Sequence, residues 1–235
     1  MNWLIILLIV FIVIILFYSY FKNWLLGITT VSTQSSLISP VPPVLANTFS
    51  NPGSTRYSYG IWYYLNTWST GIDKVIFSRH NDILLYFDDN TASLLCSLPP
   101  IPITDPGANV ILPNNNLDPD NNISITVTNN FPLQKWVYIT VVVDNTIADI
   151  YLDGKLVKSV QINQVSPDKL SNLYFGTGYD AYISNFQRWS KPLDPQTVWS
   201  TYLTGNGSSS IGTNNYSMNV SLLKDNVTQK TYSIF

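Results

Sequence analysis

Residues 136–160 read WVYITVVVDNTIADIYLDGKLVKSV. Trp136 to Val143 is apolar at every position but Thr140, so both faces of a strand there want cover, as in a central strand between two layers. Ala148, Ile150 and Leu152 then alternate with Asp149 and Tyr151, the period of a half-buried strand. Asp144-Asn145 and Asp153-Gly154 interrupt the apolar runs as short polar turns. An Asp-Gly pair between alternating strands signals a two-residue hairpin, whose turn fixes register and therefore which side chains are buried. Asp153 and Gly154 are accordingly expected to be structural turn residues.

The same signals continue on either side. YSYGIWYYLNTW (57–68) reads as an aromatic strand, and KVIFSRHNDILLYFDDNTASLLCSL (74–98) as three short strands with polar turns at His80-Asn81-Asp82 and Asp88-Asp89-Asn90. PPIPITDPGANVILPNNNLDPDNN (99–122) is broken by Pro, Asn and Gly and reads as a long surface loop. ISITVTN (123–129), LYFGTG (173–178) and AYISNFQRW (181–189) add strands. KPLDPQTVWSTYL (191–203) is the one soluble helix expected, with Asp194 as N-cap, Pro195 at the first helical position and Val198, Trp199 and Tyr202 on one face. Gly205 ends it. Residues 205–235 are read as a flexible segment followed by a strand or an arm for a partner.

The other end of the chain is different in kind. From Trp3 to Phe21 only Ser19 and the tyrosine hydroxyls are polar. Nineteen helical residues span roughly 28 Å, close to a bilayer's hydrocarbon core. Phe11 and Phe17 lie within that run, Trp3, Tyr18 and Trp24 flank it where amphipathic rings prefer the interface, and Lys22 is placed to snorkel. A signal peptide would want a basic start, a shorter apolar run and a small-residue cleavage site, and the sequence offers none of these. Residues 1–24 are therefore expected to be a retained, single-pass anchor contacting lipid through 3–21. The flanking charges do not fix its orientation. Residues 25–56, rich in Ser, Thr and Pro with SPVPPV at 39–44, are expected to be a stalk whose end is tucked into a sheet.

Composition narrows the function classes. The net charge is −2 over 235 residues, so no basic field draws nucleic acid. All fourteen acidic residues are Asp and none is Glu, which removes the favourite carboxylate of general acid/base pairs. Asp88-Asp89 are neighbours on a strand and point to opposite faces. His80 is the only histidine, in a turn-like setting, and no G-x-S-x-G or phosphate-cradling glycine loop occurs. Cys96, the only cysteine, cannot form an intrachain disulfide and reads as a small buried apolar residue. Zinc lacks the ligands it needs. Calcium has one candidate set, Asp118, Asp120 and Asn122 at alternating positions in a loop, although a solvated polar turn is the favoured reading of them.

Three pieces resemble the laminin G-like, concanavalin A-like lectin/glucanase superfamily: YSYGIWYYL, QKWVYITVVVDNTIADIYLDGKLVKSV, and the closing unit LYFGTGYDAYISNFQRWSKPLDPQTVWSTY. The resemblance covers residues 57–204 and implies an all-β domain, an antiparallel two-sheet jelly-roll sandwich. With the N-terminal transmembrane helix, this gives the expected architecture. The glucanases of the superfamily cleave with clustered carboxylates, and their catalytic motif is absent here, so no catalytic residue and no cofactor are expected. Lectin members stack sugars on aromatic rings, which makes Tyr63, Tyr64, Trp68, Tyr179 and Tyr182 candidates, with core packing as the competing role.

The style of the sequence, Asn-rich and Glu-free with one Cys behind an anchor, is similar to membrane-associated structural proteins of large DNA viruses. The first functional expectation is thus a non-enzymatic structural or interaction protein, a minor capsid or virion membrane protein at the membrane/capsid interface. The alternative is a carbohydrate-binding attachment module displayed on a membrane. An anchored hydrolase is the third, and requires two facing carboxylates in a cleft.

Overall fold

A computed structural model of the chain describes residues 3–25, 28–31, 33–98, 123–162, 166–207, 219–224 and 227–233. Helix α1 spans Trp3–Leu25. The strands follow as β1 (Ile28–Val31), β2 (Ser35–Ser36), β3 (Arg56–Leu65), β4 (Lys74–Arg79), β5 (Ile83–Phe87), β6 (Leu94–Leu98), β7 (Ile123–Thr128), β8 (Trp136–Asp144), β9 (Ile147–Leu152), β10 (Lys155–Gln161), β11 (Leu173–Phe175) and β12 (Ala181–Trp189). Helix α2 (Pro195–Leu203) and strands β13 (Asn219–Lys224) and β14 (Val227–Ser233) complete the order.

Two antiparallel sheets face each other. The first has seven strands in the order β1-β12-β3-β8-β9-β10, with β2 also on β12; the second has five, β11-β4-β5-β6-β7. Alternation decides which side chains meet between them. Tyr57, Tyr59, Ile61, Tyr63 and Leu65 of β3 and Val137, Ile139, Val141 and Val143 of β8 point inward from the first sheet. Phe77, Leu85, Phe87, Leu94, Cys96 and Ile125 meet them from the second. Asp153 (φ 49°) and Gly154 (φ 75°) make the turn between β9 and β10, the paired left-handed conformations of a type I′ hairpin. A side chain at Gly154 would also meet the Trp199 ring at 2.7 Å, so the position excludes a Cβ twice over.

Both faces of β8 are apolar because the first sheet has cover on its outer side too. Val142, Tyr151, Trp189, Leu193 and the helical Val198 form a second, smaller core there. Asp194 caps α2, its carboxylate accepting from Thr197 N at 2.9 Å, and Pro195 occupies the first turn.

Residues 25–56, expected as a stalk, instead belong largely to the sandwich. β1 and β2 pair along β12, and Leu37, Val44 and Phe49 are buried. The physical reason is that β12 would otherwise present an open edge of unpaired backbone groups. Residues 99–122, expected as a surface loop, lie outside the described residues, and with them Asp118, Asp120 and Asn122. The C-terminal strands pair with each other as a separate two-stranded sheet.

In α1, the nine consecutive apolar side chains from Leu7 to Ile15 are 47% to 59% exposed. At 100° per residue they cover the whole circumference of the helix, so no face of this stretch packs on the sandwich. The described side chains of α1 are Trp3, residues 7–15, Phe17 and Tyr18; those of Lys22 and Trp24 lie outside. Among the described residues no helix is long and apolar enough to cross a membrane.

Register gives the sandwich two distinguishable ends. Ile28, three positions after the end of α1, pairs with Trp189, which pairs with Ser58. At the opposite end Tyr182 and Ala181 pair with Tyr64 and Leu65. The six steps from Ser58 to Tyr64 correspond to roughly 20 Å along β3. The end carrying Trp189 is called the tether end below, and the end carrying Tyr182 the far end.

Candidate functional site

Three adjacent strands place one aromatic residue each at the far end of the outer face. Tyr64 of β3 lies opposite Trp136 of β8 on one side and opposite Tyr182 of β12 on the other. The ring centroids are 5.4 Å apart for Tyr64–Trp136 and 6.1 Å for Tyr64–Tyr182, tilted and edge-on respectively. Cross-strand neighbours of this kind hold one another upright on the sheet. All three are part exposed, and together they form a short aromatic platform.

The next row on the same face is closed. Trp62 packs on Tyr138 at 5.2 Å and stacks under Tyr202 of α2 at 5.6 Å and 23°. The indole Nε1 of Trp62 is buried and meets no acceptor among the described residues. Helix α2 therefore covers this row, and its own Trp199, exposed and tilted against Tyr202, lies over the Gly154 turn.

Polar groups stand at the far-end rim. The Asp180 carboxylate accepts from Asn66 Nδ2 at 2.7 Å and from Thr67 Oγ1 at 3.0 Å. Beside Trp136, Lys135 Nζ pairs with Asp153 Oδ2 at 2.9 Å, and the hydrogen bond to that carboxylate raises the Lys135 pKa. Asp153 also accepts from Tyr138 N through its other oxygen at 2.9 Å, which ties the hairpin turn to this rim.

The candidate sugar-stacking residues divide. Tyr64 and Tyr182 are on the platform. Tyr63 and Tyr179 are buried in the main core, where Tyr179 Oη donates to Val75 O at 2.6 Å and Tyr63 Oη reaches Tyr179 Oη at 3.4 Å. They cannot stack on a ligand; strict alternation turns Tyr63 inward wherever Tyr64 faces out. Trp68 packs against Phe87 at the margin of the core and carries Lys74 Nζ 4.3 Å from its ring centroid, away from the platform. Trp136 was not among the candidates. Its strand is apolar on both faces, so the sequence alone does not fix the phase; the structure turns Val137, Ile139, Val141 and Val143 inward, which leaves 136 on the outer face.

A second polar cluster sits at the tether end and is sealed. Tyr57 Oη donates to Asp82, Tyr59 Oη donates to Asp82 Oδ2 at 2.7 Å, and Arg79 Nη1 pairs with the same oxygen at 3.1 Å. Arg79 and Asp82 side chains are fully buried. Burial first, and then the Asp82 charge, push both phenols well above the ordinary tyrosine range, which keeps them protonated as donors. Asp82, expected in a polar turn, is thus a core residue. Its neighbour His80 is exposed, and Cys96 is buried with its thiol pKa pushed up by burial. No substrate can reach the Tyr57–Asp82–Arg79 cluster without opening the core. Among the described residues no three His, Cys, Asp or Glu side chains are grouped to hold a metal.

Two packed antiparallel sheets with aromatics laid across an outer face define a lectin-like sandwich domain. The chain belongs to the concanavalin A-like lectin/glucanases superfamily, whose family model matches residues 42–206. No curated protein matches it in sequence. Among solved structures, the botulinum neurotoxin serotype D ligand binding domain in complex with N-acetylneuraminic acid aligns with a TM-score of 0.54 at 14% identity, over 75% of this chain and 46% of that one. The binding domain of botulinum neurotoxin DC, in complex with rat synaptotagmin II, aligns at 0.52 and 13% identity over the same shares. A structure of botulinum neurotoxin type C, whose cell entry depends on interaction with two ganglioside molecules, gives 0.51 and 14%, again over 75% and 46%. The chain spans less than half the length of these neighbours. At such identities the likeness is one of fold.

Proposed function

We propose that the chain is a membrane-tethered, non-catalytic binding domain that engages carbohydrate on the platform formed by Tyr182, Tyr64 and Trp136. The observation that carries this reading is the platform itself: three part-exposed rings held side by side on neighbouring strands of a lectin-like sandwich. Aromatic faces offer rigid apolar area to the C–H face of a sugar ring, and a few fixed polar groups supply orientation. Asp180, Asn66 and Thr67, joined to one another next to the strand ends that carry Tyr182 and Tyr64, are the groups that would supply those contacts. The serotype D domain, with N-acetylneuraminic acid bound, lends support at the level of fold.

Helix α1 is the tether in this reading. Support for it comes from the sequence, uncharged and apolar from Trp3 to Phe21 over nineteen residues, and from the exposed apolar side chains of residues 7–15, which fit lipid rather than water. The platform lies at the end of the sandwich remote from α1, so the anchor presents it outward. A glycan array probed with the full chain in lipid nanodiscs tests the reading, with Trp136→Ala as the matched control. Sugar-specific binding by the parent and a loss of about tenfold or more in the variant is the expected result. A folded parent that leaves the array blank, with and without calcium, overturns it.

A second reading, a structural protein at the membrane/capsid interface of a virion, is favoured by one observation. Strands β13 and β14 form a sheet of their own, outside both sheets of the sandwich. A lone hairpin is marginal in water and is stabilised by docking on another protein. Stoichiometric recovery of the chain in purified particles, cross-linked to a capsid subunit through 219–233, is its test.

A further inference from the structure

The tether end carries an apolar feature that neither sheet uses. Leu170 is 85% exposed and Leu45 48% exposed. Both line a cleft of about 470 Å³, together with Ala46, Phe49, Pro52 and Lys169. Hydrogen bonds connect this cleft to the first strand after the anchor. Thr29 Oγ1 donates to Thr48 O at 2.8 Å, and Ala46 N donates to Asn172 Oδ1 at 2.8 Å. Ile28 follows Leu25 by three positions, so fewer than about 11 Å separate their Cα atoms even in a fully extended link.

The turn that displays Leu170 is held from beneath. Arg79, buried, donates Nη2 to Asp168 O at 2.8 Å and to Pro52 O at 2.9 Å, and Nε to Ser171 O at 3.1 Å. Arg188, equally buried, donates Nη1 to Ser50 O at 2.8 Å and Nη2 to Asn51 O at 3.2 Å. Asp168 Oδ1 accepts from Leu170 N at 2.9 Å, which closes the turn locally. Two guanidiniums thus fix both lips of the cleft, 50–52 and 168–171, through their carbonyls. A leucine that could fold back if its loop were loose is instead kept pointing outward.

We propose that this end of the sandwich is a membrane-contact surface, with Leu170 and Leu45 entering the interfacial layer of the bilayer and Lys169 meeting lipid phosphate. The inference rests on the reading of α1 as the anchor and adds to it a defined orientation. Two leucines and a lysine would bind lipid weakly as a free protein, but the tether makes the contact intramolecular and supplies a high effective concentration of bilayer. Contact there leaves the opposite end, with Tyr64, Trp136 and Tyr182, facing away from the membrane.

The test uses the full chain in vesicles of phosphatidylcholine and phosphatidylserine, on a Cys96→Ala background. An environment-sensitive fluorophore is placed at Leu170→Cys, at Val13→Cys within α1, and at Asp89→Cys, an exposed residue beyond the far end of β5. Quenching by brominated lipid is read at each. Quenching at positions 13 and 170 but not at 89 is the expected pattern. Quenching at 13 alone overturns the contact surface while leaving the anchor. No quenching at 13 overturns the anchor and the inference with it. A blue-shifted, unquenched label at 170 means that the position is covered by this chain or a second copy of it, and also overturns the proposal.

Discussion

At the tether end, Tyr57, Tyr59, Arg79, Asp82 and Arg188 are buried together with nearly every polar atom satisfied, while at the far end Tyr64, Trp136 and Tyr182 pack on one another and remain part exposed. The same residue types, phenols and carboxylates among aromatics, serve both ends. Position on the strand separates them. Tyr57 and Tyr59 occupy odd places on β3 and face the core; Tyr64 occupies an even one and faces out. Groups that hold loops must be closed off from water to be worth the desolvation of their charges, whereas groups that bind must be left open. The sandwich therefore concentrates its fixed polar structure where the loops near α1 need support and leaves the aromatic platform at the opposite end part exposed.

The strongest way to break this contrast is Asp82→Asn. It leaves Arg79 buried without its counter-charge and weakens the acceptor for two phenols. Removing one partner of a buried ion pair costs about 3–5 kcal/mol. For a domain of this size the midpoint of thermal unfolding, followed by near-ultraviolet circular dichroism, should fall by roughly 10 °C. A fall of under about 2 °C would mean that the cluster is not the structural element described here.

Tyr179→Phe probes a buried phenol at the far end. The variant leaves Val75 O and the Tyr63 hydroxyl without their partner, at a cost of about 1–3 kcal/mol. Because Tyr179 does not reach the platform, glycan affinity at a temperature where the protein stays folded should match the parent. A selective loss of binding would place Tyr179 in the ligand site and contradict its burial.

Trp136→Ala reverses that profile. The ring's contact with Tyr64 is worth about 1 kcal/mol in stability, yet the platform loses its largest face. Calorimetry should show a small drop in unfolding midpoint alongside the tenfold or greater loss of sugar binding expected above. A variant that binds as the parent does would move the site off the outer face.

These pairs also indicate how far the sequence could be read. The Asp153-Gly154 hairpin and the Asp194-Pro195 helix start are local signals, decided by residues next to one another, and both are found in the fold. The alternation that separates Tyr63 from Tyr64 is equally local, but its phase is not. β3 is aromatic on both faces because α2 covers part of the outer one, so the pattern YSYGIWYYL does not announce which face is inside. Trp136 was hidden for the same reason, at the mouth of a strand apolar throughout. The burial of Asp82 depends on Tyr57 and Tyr59, more than twenty positions away, and a turn-like RHND gives no hint of it. Residues 25–56 read as stalk because they are rich in Ser, Thr and Pro, whereas the burial of Leu37, Val44 and Phe49 follows from the pairing of β1 and β2 along β12.

The smallest effect belongs to a second Arg–Asp pair at the tether end. Arg56 Nε lies 2.8 Å from Asp144 Oδ1, a shorter approach than that of Arg79 to Asp82, but the two side chains are 56% and 46% exposed. Water and salt screen the pair, so Asp144→Asn should cost about 0.5 kcal/mol or less, and the difference from the parent should vanish in 0.5 M salt, where the Debye length is only about 4 Å. Denaturant unfolding at low and high salt measures it. The two Arg–Asp pairs share chemistry and lie at the same end of the molecule, so burial is the variable that separates them. If Asp144→Asn proved as damaging as Asp82→Asn, proximity to the tether rather than exclusion of water would be what gives these charges their weight, and the contrast between the two ends would need a different cause.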